Sequence, residues 1–576
     1  MPVRKSQISP MMETIHLAVA PERESYFLLS GISLIWGLVI WLFEPAYMIF
    51  SFDDSFYYLK VASNIVSGYG ATFDRLNPTN GFHPLWLIVT SAFTGLLGND
   101  ARLLMRALLT LQVVMVYAGV QLIAEGTPLQ GRTVRIATAV LLTNFYCVKI
   151  VVNGQESALQ YLLMCISLHY WWHLRESANG RNSKHQLLLG LIFGLTILAR
   201  IDAVAFVAVL IAMPLLWPDE TEAPQLSKRL KDSVSRFVSS LLVVAPYFYW
   251  NMKVHGHILP VSAAVKLDWR PSLSTTPDIA VLAVIFFLLT LYWQLAKRAR
   301  HKEILNQGAC FTFPILTYAA AETAASMWMS RAFVPPLWYM PPYLLLLIAV
   351  TTIILRICNL RLVYSAITCL TILYVTVTAG LTLHRFDSRS YSFLLAYRDA
   401  GRWLDLHAPS DALVGSWDAG IMAAHSNLRF INLDGLINSW DYKINYLDKA
   451  LTAEFINEVH KVDYICQRFV PTELRTPTYR GVNLSQFYVA WFRCVEHHQM
   501  INFLRKGVDG HEIWSRKPHY AIILSREPPH VAAMTFDQFV SKVAKEGGKR
   551  CLQMKVGLNS SSCLRMRRGS ESNQDE

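Results

Sequence analysis

Charge is what this sequence has least of. Asp, Glu, Lys and Arg make up 16% of its 576 residues, against about 25% in soluble domains. That deficit excludes a chain that is soluble throughout. The nine cysteines form no CxxC pair and no Cys/His cluster at zinc spacing, which excludes a zinc ribbon or a thioredoxin-type redox motif. Five of them (Cys147, Cys165, Cys310, Cys358, Cys369) lie in or beside apolar runs and read as core residues. Cys466 and Cys494 fall in a more polar region and are close enough in type of environment to be considered for pairing in an oxidising compartment. There is no internal repeat, which excludes solenoids. The first apolar run, 26–43, follows Arg4, Lys5 and Arg23 and has no small-residue cleavage site after it, so an uncleaved first span is expected.

Long apolar runs are abundant: hydrophobic residues are 53% of the chain. Runs at 26–43, 105–124, 132–151, 157–174, 186–200, 203–217, 236–252, 278–296, 309–329, 334–356 and 361–383 approach the roughly 20 residues that cross a bilayer. The net charge of +12 does not point to nucleic acid, because the cations lie in short loops between these runs, the pattern of membrane topology. If 83–98 lies in the interface rather than crossing, Arg132/Arg135, Arg175/Arg181/Lys184, Lys228/Arg229/Lys231, Lys297 to Lys302 and Arg356/Arg361 all fall on the side of the N-terminus. The expectation is a polytopic α-helical membrane protein of about eleven spans, with the N-terminus cytoplasmic. Residues 1–25 form a cytoplasmic segment and 26–384 the membrane module, whose outer loop 44–104 carries juxtamembrane helices. Residues 385–545 read as an extracytoplasmic α/β domain with a small parallel sheet, and 546–576 as a disordered tail.

This topology gathers the unusual polar residues on the outer side. Asp53 and Asp54 open a helix closed by Gly68. One of them reads as an ordinary helix cap; the other is left for a general base or for a divalent metal bridging to phosphate. His83, ahead of Pro84, is either a helix-start histidine or a donor to phosphate or sugar. Glu156 follows the Asn153-Gly154 turn and either complements a helix dipole or shapes a sugar site. Arg200 and Asp202 either neutralise each other or offer a phosphate clamp. Lys266 and Arg331 are further cations for a leaving phosphate. Asp418 and Asp434, in Trp417-Asp418-Ala419-Gly420 and Leu433-Asp434-Gly435, end strands of the soluble domain, where turns and ligand contacts both occur.

The Asp53-Asp54 pair and the Asn80-Gly81-Phe82-His83-Pro84-Leu85-Trp86 segment resemble the first outer loop of GT-C fold glycosyltransferases, which include protein O-mannosyltransferases, lipid A aminoarabinose transferases and mycobacterial arabinofuranosyltransferases. The chain is also similar, over 26 to about 530, to uncharacterised bacterial members with Asn-Gly-x-Glu (Asn153 to Glu156), Arg-x-Asp (Arg200 to Asp202), Pro-x-Ser before Lys (Pro260 to Lys266), and Trp-Asp-Ala-Gly with Leu-Asp-Gly. The resemblance implies a plasma (inner) membrane enzyme with no cofactor, taking a polyprenyl-phosphate sugar and transferring it, with inversion, to a hydroxyl of a glycan, lipid or protein. Asp53 or Asp54 would be the base, Arg200, Lys266 or Arg331 would hold phosphate, and Asn80, His83, Glu156 and Asp202 would line the substrate site. The pair is Asp-Asp where the superfamily has Asp-Glu or Asp-x-Asp, so which Asp acts, and whether a metal joins it, stay open. The rival expectation is a transporter or flippase of a lipid-linked or anionic substrate, although transporters place charge near the midplane and often carry repeats.

Overall fold

The computed structural model describes residues 9–129, 131–176, 182–216, 226–267, 302–329, 339–357, 388–469, 478–500, 514–526 and 534–545. The runs 278–296 and 361–383, Arg331 and the tail lie outside them. The chain divides into two compact units, one of residues 1–72 and 78–386, the other of 73–77 and 387–576.

The first unit is helical. Among the described residues, Glu22–Leu42 of α1 (Ser9–Leu42) and α5 (Ala101–Glu125) are long and apolar enough to cross a membrane. Between them lie α2 (Ala46–Phe50), α3 (Asp53–Val66) and α4 (Pro84–Leu97). The 14 residues of α4 reach only about 21 Å at 1.5 Å each, short of a bilayer core. It buries Trp86, Leu87, Thr90 and Thr94 and leaves Ile88, Leu96 and Leu97 outward, the one-sided burial of a helix lying on an apolar surface.

The run 132–151 is not one straight span. It forms α6 (Gly131–Leu141) and α7 (Phe145–Val151), bent by 108°. Asn144 causes the break: its side chain accepts from Tyr146 N at 2.8 Å and starts a new helix. The Leu142 carbonyl freed by the bend accepts from the Trp36 indole at 2.8 Å. Hydropathy alone cannot see a cap inside an apolar run.

Then follow α8 (Ser157–Glu176), α9 (Ser183–Ala199), α10 (Val204–Leu216), α11 (Leu226–His255), α12 (Val261–Leu267), α13 (Lys302–Met329) and α14 (Pro341–Ile357). Helices α9 and α11 touch backbone to backbone: a Cβ on Gly190 would run into Ser239 and the Arg236 carbonyl, and one on Gly194 into Val243 and the Ser240 carbonyl. Small residues four apart give this approach where lipid removes the hydrophobic drive between helices. At one end of the bundle Arg135, buried, bonds Glu22 and Glu125 at 3.3 Å each and lies 3.5 Å over the Tyr26 ring. Glu22 begins the first apolar span and Asp53 follows it, so the polar residues of the loop after that span lie at its other end.

In the second unit, helix α15 (Ser388–His407) precedes a six-stranded sheet of order β2-β1-β3-β7-β6-β8. Strands β1 (Leu413–Ser416), β2 (Arg429–Asn432) and β3 (Tyr464–Phe469) run parallel. Beyond β3, strands β7 (Trp514–Ser525), β6 (Tyr488–Met500) and β8 (Met534–Thr535) are antiparallel. A two-stranded hairpin joins β4 (Thr478–Tyr479) to β5 (Val482–Asn483). The expected all-parallel sheet is therefore mixed: the long β6 carries no clean alternation in sequence, and strand direction is not written in composition. The open question of Cys466 and Cys494 is answered against a disulfide. Cys466 is a free, buried thiol against Met422 Sδ at 2.9 Å. Strand β7 runs between β3 and β6, pairing Ile523 with Cys466 and Tyr520 with Cys494. Two strand spacings are about 9.5 Å, beyond disulfide reach. Cys165 and Cys310 are buried and Cys147 half-buried.

Candidate active site

Helix α3 begins differently from the expected aspartate cap. Phe52 is the N-cap, its N–H donating to Ser55 Oγ at 3.2 Å, and Asp53 and Asp54 both lie in the first helical turn. There the helix dipole favours both carboxylates. Neighbouring helix residues diverge by about 100°, whereas residues four apart share a face, so Asp54 shares its face with Tyr58. The Tyr58 hydroxyl donates to Glu156 Oε2 at 2.9 Å and accepts from His83 N at 3.1 Å. Burial, then the Glu156 charge, raise the Tyr58 phenol well above its ordinary range, so it stays a donor.

Glu156 is fixed by the turn before it. Gln112 of α5 accepts from Asn153 N at 3.0 Å and Gly154 N at 2.9 Å, and its amide donates to the Gln155 carbonyl. Ser55 Oγ donates to Asn153 O at 2.7 Å and Trp86 Nε1 to Gly154 O at 3.1 Å. Gly154 has φ +80°, and a Cβ there would stand 2.7 Å from Met105 Sδ and 2.9 Å from Ser55 Cβ. Gly154→Ala is expected to cost roughly 2 kcal/mol or more, from the left-handed backbone and the overlap together, read as a lower melting temperature of the detergent-purified protein; an unchanged value would mean that the turn relaxes.

The charges converge on this turn. Arg200, which ends α9, donates from Nη1 to Glu156 Oε1 at 2.9 Å and from Nε to both Asp202 oxygens at 3.0 and 2.9 Å. Its guanidinium lies 4.0 Å over the Tyr339 ring. Tyr318 of α13 donates to Asp202 Oδ1 at 2.9 Å. Lys266, at the end of α12, donates to Tyr339 Oη at 3.1 Å. Burial opposes the Lys266 charge, and Tyr339 and Asp54 overcome it, holding the ammonium above its ordinary value. Asp54 thereby belongs to the same electrostatic group.

His83 precedes α4, and its Nε2 lies 3.6 Å from Glu156 Oε1. Its Nδ1 accepts from Ile201 N at 3.4 Å, which leaves the neutral ring's proton on Nε2, facing Glu156. Burial lowers the imidazole below its ordinary 6.5 and outweighs the Glu156 charge. The unfolded chain therefore takes up a proton below about pH 6.5 that the folded chain refuses, and stability falls as pH drops through that window. Melting temperature between pH 7.5 and 5 should decline less steeply in His83→Gln than in the wild type; parallel curves would reject this assignment.

Asn80, fully buried, accepts from Val261 N at 2.9 Å and donates to Asn251 Oδ1 at 3.2 Å and Leu259 O at 3.3 Å. It ties the loop ahead of α4 to the start of α12, the helix that carries Lys266. In the second unit, Asp418 Oδ2 accepts from Tyr397 and Gln467, and Asp434 Oδ1 from Leu436 N at 2.8 Å beside Gly435 at φ +86°. Both are engaged in turn and strand-end bonding. Sequence reasoning missed Tyr58, Tyr318, Glu322, Tyr339 and Gln160. Spacing could have found two: Tyr58 lies four residues from Asp54, and Tyr318 four from Glu322, the lone charged residue of the 309–329 run. Among the described residues no group of three or more His, Cys, Asp or Glu is set to hold a metal ion.

A family model, Domain of unknown function (DUF8728), matches residues 388–552. No curated protein matches the chain in sequence. Among solved structures it is similar to ArnT from Cupriavidus metallidurans bound to undecaprenyl phosphate, with TM-score 0.54 and 12% identity over 87% of this chain and 98% of that one. The apo form of that ArnT gives TM-score 0.53 at 12% identity, over 86% and 98%. A weaker likeness, TM-score 0.46 at 13% identity over 81% and 73%, is to the apo Archaeoglobus fulgidus oligosaccharyltransferase. The ArnT likeness shows the fold: the chain has the GT-C fold, as the first outer loop implied.

Proposed function

We propose that this GT-C fold protein is a membrane glycosyltransferase, moving a sugar from a polyprenyl-phosphate donor to a hydroxyl of a glycan, lipid or protein acceptor on the outer side of the membrane. The observation that carries this reading is the bonded Glu156–Arg200–Asp202 cluster with Lys266 on Tyr339 next to it, the Asp54 charge acting on that Lys266 ammonium. That ArnT binds undecaprenyl phosphate supports the lipid-phosphate donor. The acceptor oxygen attacks the anomeric carbon as its proton passes to Asp54. The bond from that carbon to the phosphate oxygen breaks, and the departing lipid phosphate gains one negative charge, met by Lys266 and Tyr339. One backside attack inverts the centre.

Arg200 acts differently from a free clamp. Its Nη1 and Nε are engaged by Glu156 and Asp202, so it positions the two carboxylates, and Lys266, with Arg331, is the phosphate cation. His83 and Glu156 shape the sugar site. The reading includes about eleven spans, a cytoplasmic N-terminus, an extracytoplasmic second unit, a plasma membrane location and independence from metal. The test is transfer from labelled polyprenyl-phosphate sugars in purified membranes, with and without EDTA. Transfer indifferent to EDTA is expected. Movement of the lipid across the bilayer without transfer would favour a flippase.

A further inference from the structure

Lys149 takes no part in the chemistry just described, yet it is a buried cation beside the helix that carries the aspartates. It lies on α7, the short helix set off by the bend at Asn144, and is 7% exposed. Its Nζ donates to Ile49 O, near the C-terminal end of α2, at 2.8 Å. The same ammonium stands 4.4 Å from the centre of the Phe52 ring and 5.9 Å from that of Phe145. Phe52 is the N-cap of α3, and Asp53 is the next residue. A carbonyl and ring faces orient an ammonium but do not cancel its charge, and a buried charge in an apolar run calls for an opposite one.

Few acids lie in this region. Helix α7 has none. Glu44, ahead of α2, is bonded by Arg102 at 3.5 Å and Arg106 at 3.2 Å. Glu156, in the turn beyond α7, is bonded by Arg200 at 2.9 Å. Of the two aspartates that open α3, Asp54 acts on Lys266. Asp53 is then the acid for Lys149. The two carboxylates diverge by about 100° around the helix, so each can meet its own lysine, Asp54 the one on α12 and Asp53 the one on α7. Adjacent like charges without such cations favour a proton on one of the pair.

We infer that Lys149 neutralises Asp53 and thereby keeps the neighbouring Asp54 ionised as the base. Lys149 is a positioning residue. The pairing stands on the geometry, and its use in the reaction rests on the glycosyltransferase reading. The 108° bend then has a consequence for the site: it brings a lysine of an apolar run to the segment that starts α3.

The test is a double-mutant cycle on the full-length protein in detergent. Lys149→Met keeps most of the side-chain volume and removes the charge. For a buried cation that meets no acid, this substitution raises the melting temperature. For the partner of Asp53 it is expected to lower it by at least about 2 °C. Asp53→Asn added to Lys149→Met is expected to recover at least half of that loss, whereas Asp54→Asn, which takes an opposing charge from Lys266, is expected to recover none. In transfer from labelled polyprenyl-phosphate sugars, Lys149→Met is expected to lower kcat about tenfold with KM within about twofold. The double variant with Asp53→Asn should return to within about threefold of Asp53→Asn alone. A melting temperature raised or unchanged by Lys149→Met, additive shifts in the Asp53 cycle, or equal recovery from Asp54→Asn would each overturn the pairing. An unchanged kcat in Lys149→Met would overturn its action on Asp54. If Lys149→Met does not fold and Asp53→Asn does not relieve it, Lys149 serves the packing of α7 alone and the inference fails. If wild type transfers no sugar from any donor, the glycosyltransferase reading fails instead, and the melting cycle still decides the pairing.

Discussion

Arg200→Met is expected to destabilise the protein by about 3–5 kcal/mol, because it leaves buried carboxylates without their cation. Glu156 and Arg200 are 3% and 1% exposed. Without the guanidinium, Glu156 keeps only Tyr58 as a hydrogen-bond donor and a neutral His83 nearby, and Asp202 keeps Tyr318. The two sites bonded by Arg200 diverge, one from Nη1 and one from Nε, so Arg200→Lys, with a single nitrogen, cannot serve both and should fall between wild type and Met. Adding Glu156→Gln to Arg200→Met removes the worst orphan charge and should recover a measurable part of the loss. The readout is the fraction of folded protein on size exclusion together with its melting temperature. If Arg200→Met lies within about 1 kcal/mol of wild type, the cluster is not the structural keystone of this end of the bundle.

The same cluster shows how much of the site is legible in one sequence. Counting cations in loops assigns Asp53, Asp54, His83, Glu156, Arg200, Asp202 and Lys266 to one side, and in the structure His83, Glu156, Arg200 and Asp202 form one bonded group, with Asp54 and Lys266 electrostatically beside it. Turn chemistry makes Asn153-Gly154 conspicuous, since Asn-Gly favours a turn and the structure gives Gly154 a φ of +80° two residues before Glu156. The carboxylate of Glu322 was hidden by the averaging that reveals spans: one Glu barely changes the hydropathy of a twenty-residue window. Tyr318 and Tyr339 were invisible for another reason. Tyrosines are ordinary in membrane helices, and their hydroxyls gain meaning only from long-range partners such as Asp202 and Lys266. The 108° break at Asn144 and the antiparallel half of the sheet escaped because caps inside apolar runs and strand directions depend on neighbours distant in sequence.

Asp54→Asn is expected to lower kcat for sugar transfer by about 10²–10⁴, the usual contribution of a positioned base, while the protein keeps its melting temperature within a few degrees. Asp53→Asn should leave the rate within a fewfold of wild type and cost about 0.3–1 kcal/mol of helix-start electrostatics. The contrast rests on direction. Asp54 is in register with Tyr58, whose hydroxyl reaches Glu156, and its charge acts on the Lys266 ammonium; Asp53 is turned about 100° from it. Both side chains are part-exposed at the first turn of α3, so neither amide is itself forced into a dry site; Asp54→Asn does take one opposing charge from Lys266, which keeps Tyr339, and the melting temperature separates a rate loss from unfolding. The two are separated by measuring kcat and KM with the same labelled donor and acceptor, with and without EDTA. Loss confined to Asp53→Asn would reverse the assignment and place the acceptor on the other face of α3. Equal loss in both variants, together with inhibition by EDTA, would mean that the pair works as one cation-binding unit and that Lys266 does not act alone on the phosphate.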